Sequence, residues 1–301
     1  MAMLLYFDDE ATLALRLSAA TGLQAAPIER HRFPDGEIRL RLPPQLPERV
    51  VILRGLHQPG DKITELMLAA PTARSLGARH LTLVSPYLAY MRQDMAFRPG
   101  EAVSQRILGQ WLAEQFDAVI TVDPHLHRVA TLHEAVPAAQ AIALSGAPLL
   151  GDWIASQLKQ PLLVGPDGES AAWVTRAAAA HGFDHAVCHK VRHGDLQVEI
   201  ALPDVAVQGR AVVLIDDVAS SGRTLAQASR LLLAAGAASV DVAVTHALFA
   251  ADALAVIHEA GVRHVWSTDC IAHPSNVVSV VPALAAALSI QPSIGAVAPT
   301  G

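Results

Sequence analysis

Charged residues are scarce in this 301-residue chain. They make up 17% of the sequence, while 52% of the residues are hydrophobic; an average globular protein has about a quarter charged residues. A chain of this composition is expected to bury much of its surface and is a poor candidate for intrinsic disorder. Its net charge of -6 also argues against a general nucleic-acid-binding surface, because phosphate contacts of that kind need clustered Lys and Arg.

Cysteines and long apolar runs are also few. The two cysteines, Cys188 and Cys270, imply no disulfide framework, so a reduced compartment suffices. The segment Met1–Ala20 has no basic leader, and residues 8–10 are acidic where a secretion signal needs an apolar core. The apolar stretch Val277–Ile290 is too short to span a bilayer, which takes about 20 residues. We therefore expect a cytoplasmic protein that binds neither membrane nor nucleic acid.

Short runs rich in Val, Ile and Leu alternate along the chain with longer runs of helical composition. Most of the short runs are almost continuously apolar, which is typical of parallel strands covered by helices on both faces. This alternation predicts an α/β fold with mostly parallel sheets flanked by helices. The predicted strands are Val50–Leu56, His80–Tyr87, Ala118–Asp123, Pro161–Asp167, Ala186–Val191, Ala211–Asp216, Val240–His246 and His264–Thr268. The predicted helices are Lys62–Leu76, Ala102–Gln115, Ala171–Ala180, Leu225–Ala235 and Ala251–Ala260.

A stretch of Ser, Gly, Ala and Pro near residues 143–151 divides the chain into two blocks of similar length. Two domains are expected at this chain length. We predict an N-terminal domain over residues 1–146, a C-terminal domain over residues 147–290 whose last segment can pack back on the first, and a flexible tail over residues 291–301. Both blocks contain strands that end in polar residues, and ligands of open parallel sheets bind beyond the carboxyl ends of strands. These strand ends are therefore the candidate site.

The segment 212–225 combines an apolar strand, two carboxylates, a loop of small hydroxylic residues and the start of a helix. The loop can offer backbone N–H groups, hydroxyls and the positive end of a helix dipole to one phosphate. The carboxylates can accept hydrogen bonds from vicinal sugar hydroxyls or bind Mg²⁺. The pattern predicts a cradle for ribose 5-phosphate, the alternative being a plain strand end and helix cap. The residues of this cradle are Asp216, Asp217, Ser220, Ser221, Gly222, Arg223 and Thr224.

This segment resembles the phosphoribosyl-diphosphate loop of the type I phosphoribosyltransferase fold. The usual Thr-Thr or Ser-Thr followed by two small residues stands here as Ser220-Ser221-Gly222-Arg223. Arg223 is bulkier than the common residue, and it either crowds the loop or points to solvent.

Four other segments carry polar residues that suggest ligand binding. They are Arg32–Ile38, Ser85–Asp94, Asp123–His127, and the pair Val164–Ser170 and Lys190–Asp195. Each has a plain alternative when taken alone: a Pro-Asp-Gly turn, a solvated loop, or cations at a strand edge. The third segment also allows a transition-metal pair of histidines, but the sequence offers no convincing third ligand near them, so the second histidine, His127, is interpreted as structural.

With the phosphate loop, these segments resemble the ribose-phosphate pyrophosphokinase family from about Phe33 to Leu288. That family has two domains of the type I phosphoribosyltransferase kind and transfers diphosphate from ATP to the 1-hydroxyl of ribose 5-phosphate. The resemblance implies ATP and ribose 5-phosphate as substrates, Mg²⁺ as cofactor, and AMP as a product. It also implies a homo-oligomer, at least a dimer, because the family's early loop reaches the adenine of a neighbouring subunit's ATP.

The resemblance also assigns roles to individual residues. It implies ATP contacts at Phe33, Asp35, Glu37, Arg92, Gln93, Asp94 and His125. It implies metal contacts at His125 and Asp167, and catalytic cations at Lys190 and Arg192.

Three positions depart from the family pattern. Met95 stands where another Arg is frequent, Glu169 lies in an Asp-x-Glu-Ser form where Asp-x-Gly-Gly is usual, and Arg223 lies in the phosphate loop. The second departure is closer to a divergent, archaeal-like branch. Two alternatives stay open: a phosphoribosyltransferase of the same fold, which would not need the ATP-side residues, and a non-catalytic regulatory member of the family.

Overall fold

The computed structural model describes residues 2–193 and 197–290, and for residues 190–193 and 197–200 it describes the backbone alone. The predicted tail, residues 291–301, lies outside the described residues. The elements of the first half are β1 (Ala2–Tyr6), α1 (Ala11–Thr21), β2 (Gln24–Pro27), β3 (Glu29–Arg32), β4 (Ile38–Arg41), β5 (Arg49–Leu53), α2 (Pro59–Ser75), β6 (His80–Ser85), α3 (Ser104–Gln115), β7 (Ala118–Val122), α4 (Leu132–Ala135) and β8 (Gln140–Leu144). Those of the second half are α5 (Ala147–Gln157), β9 (Leu162–Gly165), α6 (Ala171–Ala179), β10 (His185–Val187), β11 (His189–His193), β12 (Gln197–Ala201), β13 (Ala211–Ala219), α7 (Arg223–Ala234), β14 (Ser239–Ala247), α8 (Ala253–Glu259), β15 (Val262–Thr268), β16 (Asn276–Val278) and α9 (Val281–Ile290).

Each half is built around one six-stranded parallel sheet. The strand orders are β2-β1-β5-β6-β7-β8 and β10-β9-β13-β14-β15-β16. In both sheets the order is therefore second, first, third, fourth, fifth and sixth along the chain. In both halves an antiparallel hairpin, β3–β4 or β11–β12, is inserted between the second and the third strand of the sheet. The halves thus share one topology, and the predicted α/β class with parallel, helix-flanked sheets is confirmed.

Strands in the middle of each sheet are apolar on both sides because helices cover both faces. In β1, Leu4 and Leu5 are both fully buried, but they belong to different core clusters on opposite faces of the sheet. Leu5 packs in the cluster that contains Leu66 of α2, and Leu4 in the one that contains Leu17 of α1. The second cluster also contains Leu284 of α9, so the last helix packs on the first half of the molecule. A domain boundary at residues 146/147 stays a prediction.

The two halves are joined by hydrogen bonds at Asp123, which follows β7 and is buried. Its Oδ1 accepts from Ser145 Oγ at 2.9 Å, and its Oδ2 accepts from Gly146 N at 2.8 Å and from Thr245 Oγ1 at 2.7 Å. Thr245 lies in β14, the fourth strand of the second sheet. Beside it, the His246 ring lies with Nε2 2.9 Å from the Val122 carbonyl oxygen. A single carboxylate therefore joins the ends of strands from both sheets.

Two of the differences between predicted and observed strands bear on the site. The predicted strand Ala186–Val191 is interrupted at Cys188, whose amide still bonds to the Gly165 carbonyl at 2.8 Å. Beyond it the chain leaves the parallel sheet and pairs with β12, which an apolar pattern alone does not signal. The predicted strand Ala211–Asp216 continues to Ala219, so the two carboxylates lie within β13 and not after it.

Candidate active site

A cavity of about 190 Å³ opens at the carboxyl ends of β9 and β13. These are the first and third strands of the second sheet, between which the strand order reverses, and ligands of such sheets bind at that point. Nine residues that the sequence analysis selected line the cavity. They are Arg92, His125, Asp167, Asp216, Asp217, Ser220, Ser221, Gly222 and Thr224. The structure therefore brings the predicted ribose-phosphate cradle together with two of the residues predicted to contact ATP.

The loop after β13 is held in a shape that only glycine accommodates at its third residue. Gly222 has φ +69°, and a Cβ there would lie 2.9 Å from the Ala253 carbonyl oxygen and from carbons of Ile257. The carbonyls of Ala219 and Ser220 accept from backbone amides of the segment after β14, both at 2.9 Å. Helix α7 begins at the next residue, so the loop lies at a helix N-terminus, a common place for phosphate.

Arg223, one of the departures from the family pattern, is the first residue of α7. It is exposed and does not belong to the residues that line the cavity. Of the two expectations for this side chain, the structure agrees with the one that directs it to solvent. Arg223 is therefore the one predicted cradle residue that the structure leaves outside the cavity.

The two adjacent carboxylates at the cavity floor differ in their ionisation. Burial, with Asp217 and Asp167 nearby, holds the pKa of Asp216 well above its ordinary value. Burial also opposes ionisation of Asp217, but the hydrogen bond and charge of His125 outweigh it and lower that pKa. Asp216 therefore favours the protonated form and Asp217 the ionised form. With Asp167 they place hard oxygen atoms, the kind of ligand that Mg²⁺ prefers, at one side of the cavity.

His125 reaches across from the first half to the second. It lies just beyond β7, and its Nδ1 is 2.8 Å from Oδ2 of Asp217. Arg92, from the loop after β6, is exposed and lines the same cavity, and it forms no ion pair with any other residue in the described part of the chain. The site is thus completed by residues from both sheets, which the spacing of the motifs did not reveal.

His127 has neighbours that the sequence analysis did not find. Its Nε2 lies 3.2 Å from His125 Nδ1 and 3.6 Å from Oε2 of Glu169, which belongs to the short 3₁₀ turn Gly168–Ser170. The interpretation that the two histidines have no third metal ligand nearby was therefore wrong. A third side chain able to bind a metal comes from the segment after β9, and only the packing of the two sheets brings it close.

Other predicted ATP-side residues lie apart from the cavity. Gln93 donates through Nε2 to the Met95 carbonyl at 2.9 Å, and Asp94 accepts from Nε of Arg128 at 3.2 Å. Both are fixed by local contacts of their own loop or of a neighbouring loop. Neither lines the cavity.

The early loop is the tip of the hairpin β3–β4. Phe33, Asp35 and Glu37 are all exposed there and lie outside the cavity of their own chain. The turn is closed by Phe33 N donating to the Glu37 carbonyl at 2.8 Å, with Gly36 at φ +97°. The plain Pro-Asp-Gly turn that the sequence also allowed is thus present, and it leaves an exposed aromatic ring at the tip.

Lys190 and Arg192 lie two residues apart in β11, in register with Ile200 and Val198 of β12. Their side chains lie outside the described part of the structure. Their predicted catalytic roles stay predictions.

The first half has the same reversal of strand order, between β1 and β5, but charged side chains fill the position. Arg54 directly follows β5 and is 1% exposed. Its Nη1 contacts Asp9 at 2.8 Å and Glu10 at 3.3 Å, and its Nη2 pairs with the buried Glu65. Lys62 completes the cluster by donating to the Gly55 carbonyl at 2.9 Å.

The fold and the cavity define an α/β protein of the type I phosphoribosyltransferase class. One chain contains two copies of this domain fold. Family models agree: the N-terminal domain of ribose phosphate pyrophosphokinase matches residues 2–115, and the phosphoribosyl transferase domain matches residues 134–283. The chain is 35% identical to a ribose-phosphate pyrophosphokinase of Methanopyrus kandleri over 280 residues, which is 92% of this chain and 94% of that one. It is also 35% identical to that of Halobacterium salinarum over 290 residues, 95% of this chain and 100% of the relative.

The chain therefore belongs to the ribose-phosphate pyrophosphokinase family. Among solved structures, the phosphoribosylpyrophosphate synthetase from Mycobacterium smegmatis has the same fold, with a TM-score of 0.83 at 23% identity, over 96% of this chain and 97% of that one. The predicted family and its transferase class are confirmed, and the two sequence relatives named above are archaeal, as the form of the Asp167 segment suggested. None of the described helices has the length and apolar character to cross a membrane. The cytoplasmic location stays a prediction.

Proposed function

We propose that this chain catalyses the Mg²⁺-dependent transfer of diphosphate from ATP to the 1-hydroxyl of ribose 5-phosphate, giving 5-phosphoribosyl 1-diphosphate and AMP. The observation that carries the proposal is the contact between His125 and Asp217. It joins a strand end of the first sheet, where the ATP-side residues stand, to the carboxylate pair of the ribose-phosphate cradle. A phosphoribosyltransferase that does not use ATP has no need of this second set.

Ribose 5-phosphate binds with its phosphate at the loop Ser220–Thr224, where backbone amides and the start of α7 receive it. Its ring hydroxyls meet the carboxylate pair. The ionised Asp217 accepts a hydrogen bond from a hydroxyl, while the protonated Asp216 can donate one. The cradle thus orients the 1-hydroxyl, and such orientation contributes much of the rate in phosphoryl-type transfers.

The ATP phosphates lie on the side of the cavity formed by Arg92 and His125. Asp167 and His125 would hold Mg²⁺ beside the substrates, and the bound ion would neutralise charge on the phosphates. Lys190 and Arg192 of the hairpin β11–β12 add positive charge at the transferred group and at the departing AMP. No covalent enzyme intermediate is needed.

The adenine contacts come from a second subunit. Phe33, Asp35 and Glu37 are exposed at the tip of β3–β4 and lie outside the cavity of their own chain. An exposed ring flanked by carboxylates suits a purine, which stacks on the ring and donates from its amino group. This part of the proposal requires at least a dimer.

The decisive experiment incubates the purified chain with ATP, Mg²⁺ and ribose 5-phosphate and follows AMP. We expect AMP in equal amounts to 5-phosphoribosyl 1-diphosphate, none without ribose 5-phosphate, and none after chelation of the metal. The variant Lys190→Ala is expected to lose about 100-fold or more in turnover, as for loss of a charge-stabilising donor at a reacting phosphoryl group, with little change in ribose 5-phosphate binding. Lys159→Ala, at an exposed position away from the cavity, serves as the matched control.

Arg92→Ala separates the ATP side from the sugar side. It should raise the KM for ATP far more than that for ribose 5-phosphate, because the proposal places Arg92 with His125 on the ATP side of the cavity that both line. Absence of AMP from a folded wild-type chain would favour the non-catalytic alternative. Consumption of 5-phosphoribosyl 1-diphosphate with a nucleobase, without AMP formation from ATP, would favour the phosphoribosyltransferase.

A further inference from the structure

His125, which the proposed reaction uses, lies in a cluster with His127 and Glu169, two residues that the reaction does not account for. Each offers one ligand atom, and these three atoms lie within 4.8 Å of one another. The side chains of the two histidines are 21% and 24% exposed, and that of Glu169 is 62% exposed. The cluster stands at the rim of the cavity, because His125 and Glu169 line it while His127 and Glu169 line a neighbouring cavity of about 460 Å³.

Two of the separations between these atoms are close to those of ligands around one metal ion. Zn²⁺ is bound at about 2.0–2.1 Å by imidazole nitrogen and about 2.0–2.2 Å by carboxylate oxygen, so tetrahedral ligands are separated by about 3.3–3.5 Å. His127 Nε2 is 3.2 Å from His125 Nδ1 and 3.6 Å from Glu169 Oε2. The exposed carboxylate of Glu169 has room to close the remaining distance.

The two histidine rings pack edge to face, with Nε2 of His127 beside Nδ1 of His125. Their centroids are 3.8 Å apart and their planes are nearly perpendicular, at 89°. Nδ1 of His125 faces both Nε2 of His127 and Oδ2 of Asp217, at 3.2 and 2.8 Å. A proton on Nδ1 of His125 can form a good hydrogen bond to only one of these two atoms. A metal cation in place of that proton attracts both of them.

The position of Glu169 is set by the fold. Its backbone amide donates to Oδ1 of Asp167 at 3.0 Å, which starts the 3₁₀ turn Gly168–Ser170 and directs the chain toward the end of β7. Asp167 thereby fixes the backbone from which the Glu169 carboxylate extends. A glycine at position 169 would keep the turn and lose the ligand.

We propose that His125, His127 and Glu169 bind one transition-metal ion of the Zn²⁺ or Co²⁺ kind, with coordination positions left for water or a phosphate oxygen. Two imidazoles and one carboxylate favour such ions over Mg²⁺, which prefers oxygen ligands alone. The ion differs from the Mg²⁺ of the proposed function in its ligand chemistry, although it shares His125. Its binding does not depend on the proposed reaction.

The test is direct metal binding without substrates. The full-length chain is stripped with a chelator and titrated with Co²⁺ in millimolar Mg²⁺, and the visible absorption of Co²⁺ and the metal retained after desalting are measured. We expect one Co²⁺ per chain, displaced by Zn²⁺. His127→Ala and Glu169→Gln should each weaken binding at least about 10-fold, since even loss of a partner behind a ligand costs that much.

The matched control is His181→Gln. His181 also pairs with a carboxylate, Asp152 at 2.8 Å, but no second imidazole joins it among the described residues, so its loss should leave Co²⁺ binding unchanged. Circular dichroism checks that each variant is folded. Failure of the wild-type chain to retain stoichiometric Co²⁺, or equal binding by the wild type, His127→Ala and Glu169→Gln, would overturn the proposal. Because no substrate is present, either result leaves the proposed reaction to be judged by its own assay.

Discussion

Thr245 offers a quantitative test of the junction between the two halves. Its hydroxyl is fully buried and donates to Oδ2 of Asp123 at 2.7 Å. Thr245→Val keeps the shape of the side chain, removes that donor and places a methyl group against the carboxylate. A hydrogen bond to a charged group contributes about 1.5–3 kcal/mol. Asp123 keeps its bonds from Ser145 and Gly146, so we expect unfolding to become easier by about 2 kcal/mol, a factor of about 30 in the unfolding equilibrium.

Thr121 provides a control of the same chemistry. It lies in β7, is also fully buried, and its hydroxyl has no hydrogen-bond partner among the described residues. Thr121→Val removes a hydroxyl that was desolvated without compensation, which costs about 1–3 kcal/mol in other proteins. The variant is therefore expected to be as stable as the wild type or up to about 1 kcal/mol more stable.

The assay is urea unfolding of the three proteins, followed by tryptophan fluorescence at one pH and one protein concentration. The sign of the difference carries the test: Thr245→Val unfolds at lower urea and Thr121→Val does not. If both variants lose similar stability, the loss comes from the change in side-chain volume and not from the hydrogen bond. If Thr245→Val stays within about 0.5 kcal/mol of the wild type, the reasoning about Asp123 is refuted.

Two further predictions concern the first half. Burial and the neighbouring Lys62 lower the pKa of His57 from 6.5 to about 4. The folded state therefore favours the neutral ring. The stability that this ring contributes is fully present above pH 6.5 and is lost as the pH falls toward 4. Such a shift corresponds to about 3 kcal/mol of folding free energy, which solvent screening at a half-exposed ring reduces to about 1–2 kcal/mol. Between pH 7 and 5, the free energy of unfolding measured in urea titrations should fall by about 1 kcal/mol more for the wild type than for His57→Gln. Equal decreases in the two proteins would contradict this. In Gly109→Ala, the new Cβ would lie 1.7 Å from the Ala135 carbonyl oxygen, so α3 and α4 must separate at a cost of about 1–3 kcal/mol. Gly60→Ala in α2 is the control, because the new Cβ meets nothing within 4 Å and the change should be neutral or stabilising. The melting temperatures of the two variants are compared, and equal values would refute the close contact at Gly109.

Most of the central strands were predictable, because burial on both faces leaves a continuous apolar run. Strand β1, with Leu4 and Leu5 fully buried, was nevertheless not among the predicted strands. The predicted strand at residues 118–123 corresponds to β7, in which all five residues are buried. The hairpin β3–β4 carries no such run, since alternate residues such as Arg39 and Arg41 are exposed, and its strands were not predicted. The short edge strand β8, only partly buried, was missed for the same reason.

The residues of the site were predictable one by one, but not their assembly. The loop at Ser220 is predictable from the local sequence, because the strand, the hydroxyl residues, the glycine and the helix follow one another directly. The contact of His127 with Glu169, and that of His125 with Asp217, join segments far apart in the chain. Such contacts arise from the packing of one sheet against the other, and local spacing carries no information about it.

The cluster around Arg54 determines how many substrate molecules one chain can hold. Two copies of the same topology would by symmetry offer two crevices, one at each reversal of strand order. In the first copy the guanidinium of Arg54 and the carboxylates of Asp9 and Glu65 occupy that crevice permanently, so that no substrate can enter it. One chain should therefore bind one molecule of ribose 5-phosphate. The first half, which has no free crevice of its own, can instead form a rigid side of the site in the second half.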